Sequence, residues 1–196
     1  PHFRRHDTLK LPSPLRHRDY TGGGSPLTDE FGHGTHVAGI IAGELHGTDA
    51  KPLTAVRAEL DHNDDVDYVP EHVTAMSGMA PQCKLVSYKV IDADGDGVTS
   101  SIITALQDIQ KANAYGRDLR IHGVNLSVGY PFDPEWFACG ESPLCVEVAR
   151  LVQSGVVVVV AAGNTGYGFN QDFFRGNAAA GLALTINDPG NTEAAI

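Results

Sequence analysis

The chain has 196 residues, 42% of them apolar, which suits one domain with a substantial core, and its apolar runs are too well patterned for a disordered polymer. Twenty-four carboxylates against 14 Lys and Arg give a net charge of −10, which argues against a phosphate-tracking nucleic-acid binder. The longest apolar run, Val156–Ala162, has seven residues and is far too short to span a bilayer.

Residues 1–31 are rich in Pro, Gly and charge and read as irregular surface chain, basic at first through Arg4, Arg5, Lys10, Arg16 and Arg18. A helix is predicted from about His33 to Gly43. Gly34, Ala38 and Ala42 on one stripe, with Thr35, Gly39 and Gly43 on the next, would let it approach its neighbours closely and bury it all round. Residues 44–78 have weak periodicity and an acid block (Glu59, Asp61, Asp64, Asp65, Asp67, Glu71), and read as an insertion within one domain spanning 1–196. A strand follows over Lys84–Val90. A helix is predicted over Val98–Tyr115, with Ile102, Leu106 and Ile109 on one face.

The second strand spans Ile121–Gly129, and the next helix runs from about Leu144 to Gln153, stopped by Ser154 and Gly155. The loop between them, Tyr130–Pro143, carries Trp136 and is placed at the rim of a cleft. A third strand lies in "GVVVVVAAGN"; five consecutive valines have no polar face, so both faces are expected to be covered, as in a parallel sheet between helices. Strand–helix alternation makes the class α/β. Cys139 and Cys145 read as free thiols, with a small disulfide loop as the alternative, and Cys83 stands apart.

His33 falls in the first helical turn, where the positive end of the dipole disfavours an imidazolium; a neutral imidazole is what a general base needs. A metal pair with His36 is permitted by the i, i+3 spacing, but no third ligand is placed, so no metal site is assigned. "GHGTHVAG" (32–39) resembles the histidine motif of the subtilisin-like serine proteases, the subtilases. By that resemblance His33 is the general base and His36 a buried structural residue. Three more segments arrive in family order. "YKVIDADGDG" is similar to the segment that pairs with bound peptide, placing Gly95, Asp96 and Gly97 at its edge. "VNLSVG" is similar to the second such segment, with Ser127, Val128 and Gly129 walling the primary pocket. "VVVVVAAGNTG" resembles the strand that ends in the oxyanion-hole asparagine, here Asn164. Ligands of open parallel sheets gather at strand carboxyl ends, and an extended peptide can add to exposed backbone.

Three look-alikes are set aside. "DADGDG" opens like a calcium loop, but its twelfth position is Ile103 rather than a bidentate Glu. "GNTGYG" has the wrong glycine order for a dinucleotide turn, which weakens the reading as an α/β nucleotide binder. "MSGMAP" superficially resembles the serine motif, but glycine separates Ser77 from Met79 and the order Asp, His, Ser would be broken.

The resemblance therefore implies a three-layer subtilisin-like α/β fold with a mainly parallel sheet between helices, incomplete at both ends. No Asp-Ser/Thr-Gly motif precedes His33; Asp7 is followed by Thr8 and Leu9, and Pro1–Phe3 is similar to the chain just after that motif. The triad aspartate and serine are expected outside these residues, so the chain by itself is expected to be inactive. The expected substrate is an extended peptide or protein, with neither nucleic acid nor membrane as partner and the oligomeric state open. The chemistry calls for no cofactor, while the resemblance allows structural calcium in the insertion. It points to a secreted or extracytoplasmic setting and leaves an intracellular one open. The alternative is a non-catalytic peptide-binding module that kept the cleft.

Overall fold

Each named strand pairs with one other, so the architecture is built pair by pair. In the computed structural model, which describes residues 9–48, 51–130, 137, 139–164, 167–172, 176–181 and 186–196, the order begins β1 (Arg18–Asp19), α1 (His33–Ala42), β2 (Glu44–His46), β3 (Leu53–Leu60), β4 (Val66–Val73) and β5 (Ala75–Ser77). It continues with β6 (Tyr88–Lys89), α2 (Thr99–Ala112), β7 (Gly123–Leu126), α3 (Pro143–Gln153), β8 (Val157–Val160), β9 (Tyr167–Asp172) and β10 (Gly176–Gly181). The expectations for Pro1–Phe3, Asp7 and Trp136 lie outside the described residues. The chain divides into two units, Pro1–His17 with Phe31–Ser87, and Arg18–Glu30 with Tyr88–Ile196.

In the second unit β7 and β8 run parallel, from Gly123 opposite Val157 to Leu126 opposite Val160. Parallel neighbours need a crossover, which α3 supplies. Leu106 of α2 and Leu144, Val148 and Leu151 of α3 are fully buried together with Val156 and Val158. Ile102, Leu106 and Ile109 form the buried stripe expected of α2. The other face of β8 differs from expectation. Val157 is 52% and Val159 42% exposed, so among the described residues the valine run is covered on one side only. Strand geometry sends successive side chains to opposite faces, and five identical residues conceal which face is inside.

Asn113 terminates α2. Fully buried, it donates from Nδ2 to Ile121 O (2.7 Å) and accepts at Oδ1 from the N–H groups of Arg120 (3.0 Å) and Ile121 (2.9 Å). Ala114 and Tyr115 then take positive φ, which ends the helix short of the predicted Tyr115.

β1 and β6 also pair in parallel, Arg18 opposite Tyr88. The Tyr20 hydroxyl donates to Asp108 Oδ2 (3.0 Å), and Arg18 Nη1 reaches the same oxygen at 2.8 Å, fixing this pair to α2. Burial, then the bond to Asp108, pushes the Tyr20 phenol far up. Burial would raise Asp108 as well, but hydrogen bonds from Lys111 and Tyr20 and the Arg18 cation hold it below the usual carboxylate range. The strand expected over Lys84–Val90 contracts to two residues, because Ser87 N donates to His17 Nδ1 (3.0 Å) rather than to a ladder.

In the first unit, residues 44–78 carry paired strands despite their weak periodicity. β2 pairs antiparallel with β5, and β3 with β4 in an eight-residue hairpin. Asp61 closes its turn: its Oδ1 accepts from Asn63 N (2.7 Å) and Asp65 N (2.9 Å), the two bonds that hold its carboxyl below the usual range. Asp61, Asp64 and Asp65 of the acid block thus lie in this turn, while Glu59, Asp67 and Glu71 lie in the strands.

Replacing Asn113 by Ala would leave the buried N–H and carbonyl of Ile121 and the half-buried N–H of Arg120 without the bonds it makes to them, at a cost of about 2–4 kcal/mol. Val157→Thr, on the open face, should stay within about 0.5 kcal/mol. Urea unfolding of the two variants checks the contrast.

Candidate active site

α1 begins at His33 because Gly32 takes φ +93°, a left-handed conformation that suits glycine, and accepts at its carbonyl from His36 N (3.0 Å). His33 is exposed. So is His36, contrary to the buried place the resemblance gave it, and Ile40 with it; in α1 itself only Ala42 is buried. The small-residue stripe serves the carboxyl end of the helix alone. There Gly78, Met79 and Ala80 donate to the carbonyls of Gly43 (2.8 Å), Ile40 (2.9 Å) and Ile41 (2.7 Å). A Cβ on Gly78 would lie 2.6 Å from Ile40 O, so the glycine inside "MSGMAP" is what lets this strand cap the helix. Ser77 sits in β5 opposite Glu44.

Gly95, Asp96 and Gly97 occupy a tight turn between β6 and α2. Asp92 Oδ1 accepts from Asp94 N and Asp96 N, both at 3.0 Å, and Gly95 takes φ +90°. Gly97 bridges Ile91, and a Cβ there would meet Val90 O at 2.7 Å. Asp92 therefore spends one oxygen on its own turn.

Ser127, Val128 and Gly129 leave the carboxyl end of β7, and Asn164 leaves that of β8, so the parallel register puts both segments at one end of the pair. Asn125 Nδ2 donates to Ser127 Oγ (2.8 Å). Asn164 is exposed, after Gly163 at φ +91°. A single segment, Asn187–Asp188, braces both. Asn187 N donates to Ala162 O (2.9 Å), and Tyr130 and Asp188 exchange backbone bonds at 3.0 Å. A Cβ on Gly163 would sit 2.4 Å from Asn187 Nδ2, and one on Gly129 2.9 Å from Asp188 O. Sequence reading missed this brace. Its signal was the turn text "NDPG", with nothing to say what it would touch. His33 belongs to the first unit and the other candidate residues to the second.

Behind the brace lies a polar cluster. The Tyr130 hydroxyl donates to Ser142 Oγ (3.1 Å), and Ser142 caps α3 by accepting from Cys145 N (3.4 Å). Asp188 is buried and accepts from Asn191 Nδ2 (2.9 Å). Burial pushes the Tyr130 phenol and the Cys145 thiol up. All three cysteines are free thiols, Cys139 exposed and Cys145 buried. Among the described residues no group of three or more His, Cys, Asp or Glu side chains is placed to hold a metal ion.

A family model described as the Subtilase family matches residues 14–196. The chain belongs to the subtilase family. It is 31% identical over 153 residues to Subtilisin DY of Bacillus licheniformis, covering 78% of this chain and 41% of that protein. It is 30% identical over 145 residues to Subtilisin-like protease 3 of Pseudogymnoascus destructans, covering 72% of this chain and 25% of that one. Among solved structures, Sphericase aligns with a TM-score of 0.48 and 26% identity, over 76% of this chain and 39% of its own. The chain thus spans about a quarter to two-fifths of the length of these relatives. Its α/β class, with parallel pairs and crossover helices, is that of the family.

Thiol chemistry tests the packing behind the brace. Thiolate is the reactive form, so the exposed Cys139 should alkylate with iodoacetamide readily in the native protein. Cys145, buried and with its ionisation pushed up, should react only after denaturant is added. Peptide mass mapping reads the difference; equal labelling of the two would refute the cluster.

Proposed function

We propose that the full-length protein is a serine endopeptidase of the subtilisin class, acting on extended peptide or protein segments. Its nucleophilic serine and orienting aspartate are expected outside these 196 residues. His33 is the general base, taking the serine proton as Oγ attacks the scissile carbonyl and returning it to the leaving amine; water then hydrolyses the acyl-enzyme by the same route. Asn164 donates an amide N–H to the oxyanion. Gly95–Gly97 and Ser127–Gly129 carry the peptide between them, the first by backbone pairing and the second also as pocket wall. The reaction so written draws on no cofactor; structural calcium would belong to the loops. Neither nucleic acid nor membrane enters it.

One observation carries this reading beyond family membership. Asn164 and Ser127–Gly129 leave the same end of β7 and β8 and rest on the same Asn187–Asp188 brace. An oxyanion donor and a pocket wall must keep a fixed separation, and a shared support provides it.

A serine-directed phosphonate probe on the full-length protein is the test. His33→Ala should abolish labelling, while Asn164→Ala should lower kcat with little change in KM. The loss for removing such a donor is roughly 10²–10³, a magnitude established for subtilisin itself and carried over from it. Undiminished labelling of His33→Ala would overturn the base assignment, and an unsubstituted full-length protein that takes no label would leave the non-catalytic peptide-binding module as the better reading.

A further inference from the structure

The β3–β4 hairpin separates its side chains by chemistry. Cross-strand pairing puts Val56 opposite Pro70, Ala58 opposite Tyr68 and Leu60 opposite Val66, all on one face. Alternation sends Arg57, Glu59, Asp67 and Glu71 to the other face. The charged face is internally paired, Arg57 lying 2.7 Å from Glu59 and 3.8 Å from Glu71, yet with Asp67 it holds three carboxylates against one guanidinium. The apolar face stays open: Val56 is 62%, Leu60 69%, Val66 51% and Tyr68 73% exposed. Four large apolar side chains side by side on one face of a two-stranded ribbon are more than the scattered exposure of an ordinary surface.

The geometry points to a strand-capture surface: we propose that the outer edge of β3 binds an extended polypeptide segment of alternating apolar and basic residues. Among the described residues β3 pairs with β4 alone, so its other edge presents unpaired backbone groups. The far edge of β4 is interrupted by Pro70, which has no N–H and is tolerated in strands where that group would point away from the ladder. A strand added beside β3 sends alternate side chains to the two faces. One set meets Val56 and Leu60, and the other meets the Arg57–Glu59 pair with Asp67 and Glu71 on the strand behind it, a face whose carboxylates outnumber its guanidinium and which a cation balances. Area argues against a second copy of the chain packed face to face. Eight residues at about 3.3 Å each make a ribbon roughly 26 Å long and two strands wide, well short of the ~800 Å² per partner of a stable interface. Strand addition needs less area because main-chain hydrogen bonds supply affinity.

Fluorescence polarisation with the full-length protein carrying His33→Ala tests this without peptide hydrolysis. The probe is a short labelled peptide of alternating valine and lysine, and the control alternates valine and glutamate. The lysine peptide should bind about tenfold or more tightly than the glutamate one, a gap of one strong ion-pair contact. The triple variant Val56→Thr, Leu60→Thr, Tyr68→Thr keeps residues that favour strands and should weaken binding by about tenfold. Glu59→Lys with Glu71→Lys leaves the apolar face intact and should reverse the preference between peptides. Equal binding of both peptides, binding of neither, or indifference to both variants would overturn the proposal. A dimer in sedimentation that the threonine variant dissociates would overturn it in favour of a second copy.

Discussion

The parallel register of β7 and β8 is the constraint on which the rest of the second unit depends. Setting Leu126 opposite Val160 places the residues after both strands at one end of the pair, so Ser127–Gly129 and Asn164 are neighbours by topology before any side chain is considered. That register is held from one side. Val156 and Val158 are buried on the side where α3 packs against β8, and Asn113 fixes the approach to β7 by satisfying the backbone of Arg120 and Ile121. A parallel strand pair has no tight hairpin to set its alignment, which must come from the crossover and from what packs beneath it.

Glycine at 129 and 163 then makes the second level of order available. At each position a side chain would collide with Asn187 or Asp188, so the missing Cβ atoms let one short segment lie against both loops. The brace is itself anchored by buried polar groups, Asp188 to Asn191 and Tyr130 to Ser142, and through Ser142 to the start of α3. Buried polar groups are costly when unpaired and directional when paired, so this cluster defines one position for the brace where apolar packing alone would accept several.

How far this was legible follows from what each signal measures. The α1 start at Gly32–His33, the α2 stripe and the valine strand were readable because they are local: a left-handed glycine, a 3.6-residue period, a β-branched run. The end of α2 was not, since Asn113 stops it through partners eight residues away, whereas α3 ends at Gln153 as its Ser154-Gly155 stop implies. The valine run could not say which of its faces is covered. The hairpin was invisible for a related reason. In "LTAVRAEL" alternation is imperfect, and the apolar face exists only once Val66, Tyr68 and Pro70 of β4 supply its other half. Of the candidate site, the motifs named Asn164 and Ser127–Gly129, which the parallel register sets beyond the same end of β7 and β8. The brace joining them came from contacts of Asn187 and Asp188 that no local pattern encodes.

The same physics separates the two kinds of apolar surface in this chain. Val157 and Val159 lie on a strand whose partner and crossover helix fix its register, so what could cover them must fit an existing sheet face. Val56, Leu60 and Tyr68 lie on a ribbon with a free edge, where backbone and side chains are both unsatisfied. An open hydrophobic edge strand is normally blunted by charge or proline, and here the devices are divided: β4 carries Pro70, while β3 carries Arg57 and Glu59 on the face away from the valine and leucine. Charge placed that way does not repel every strand. With Asp67 and Glu71 of β4 the face holds more carboxylates than cations, so it disfavours acidic strands and leaves the edge selective for a partner that brings cations in alternate positions.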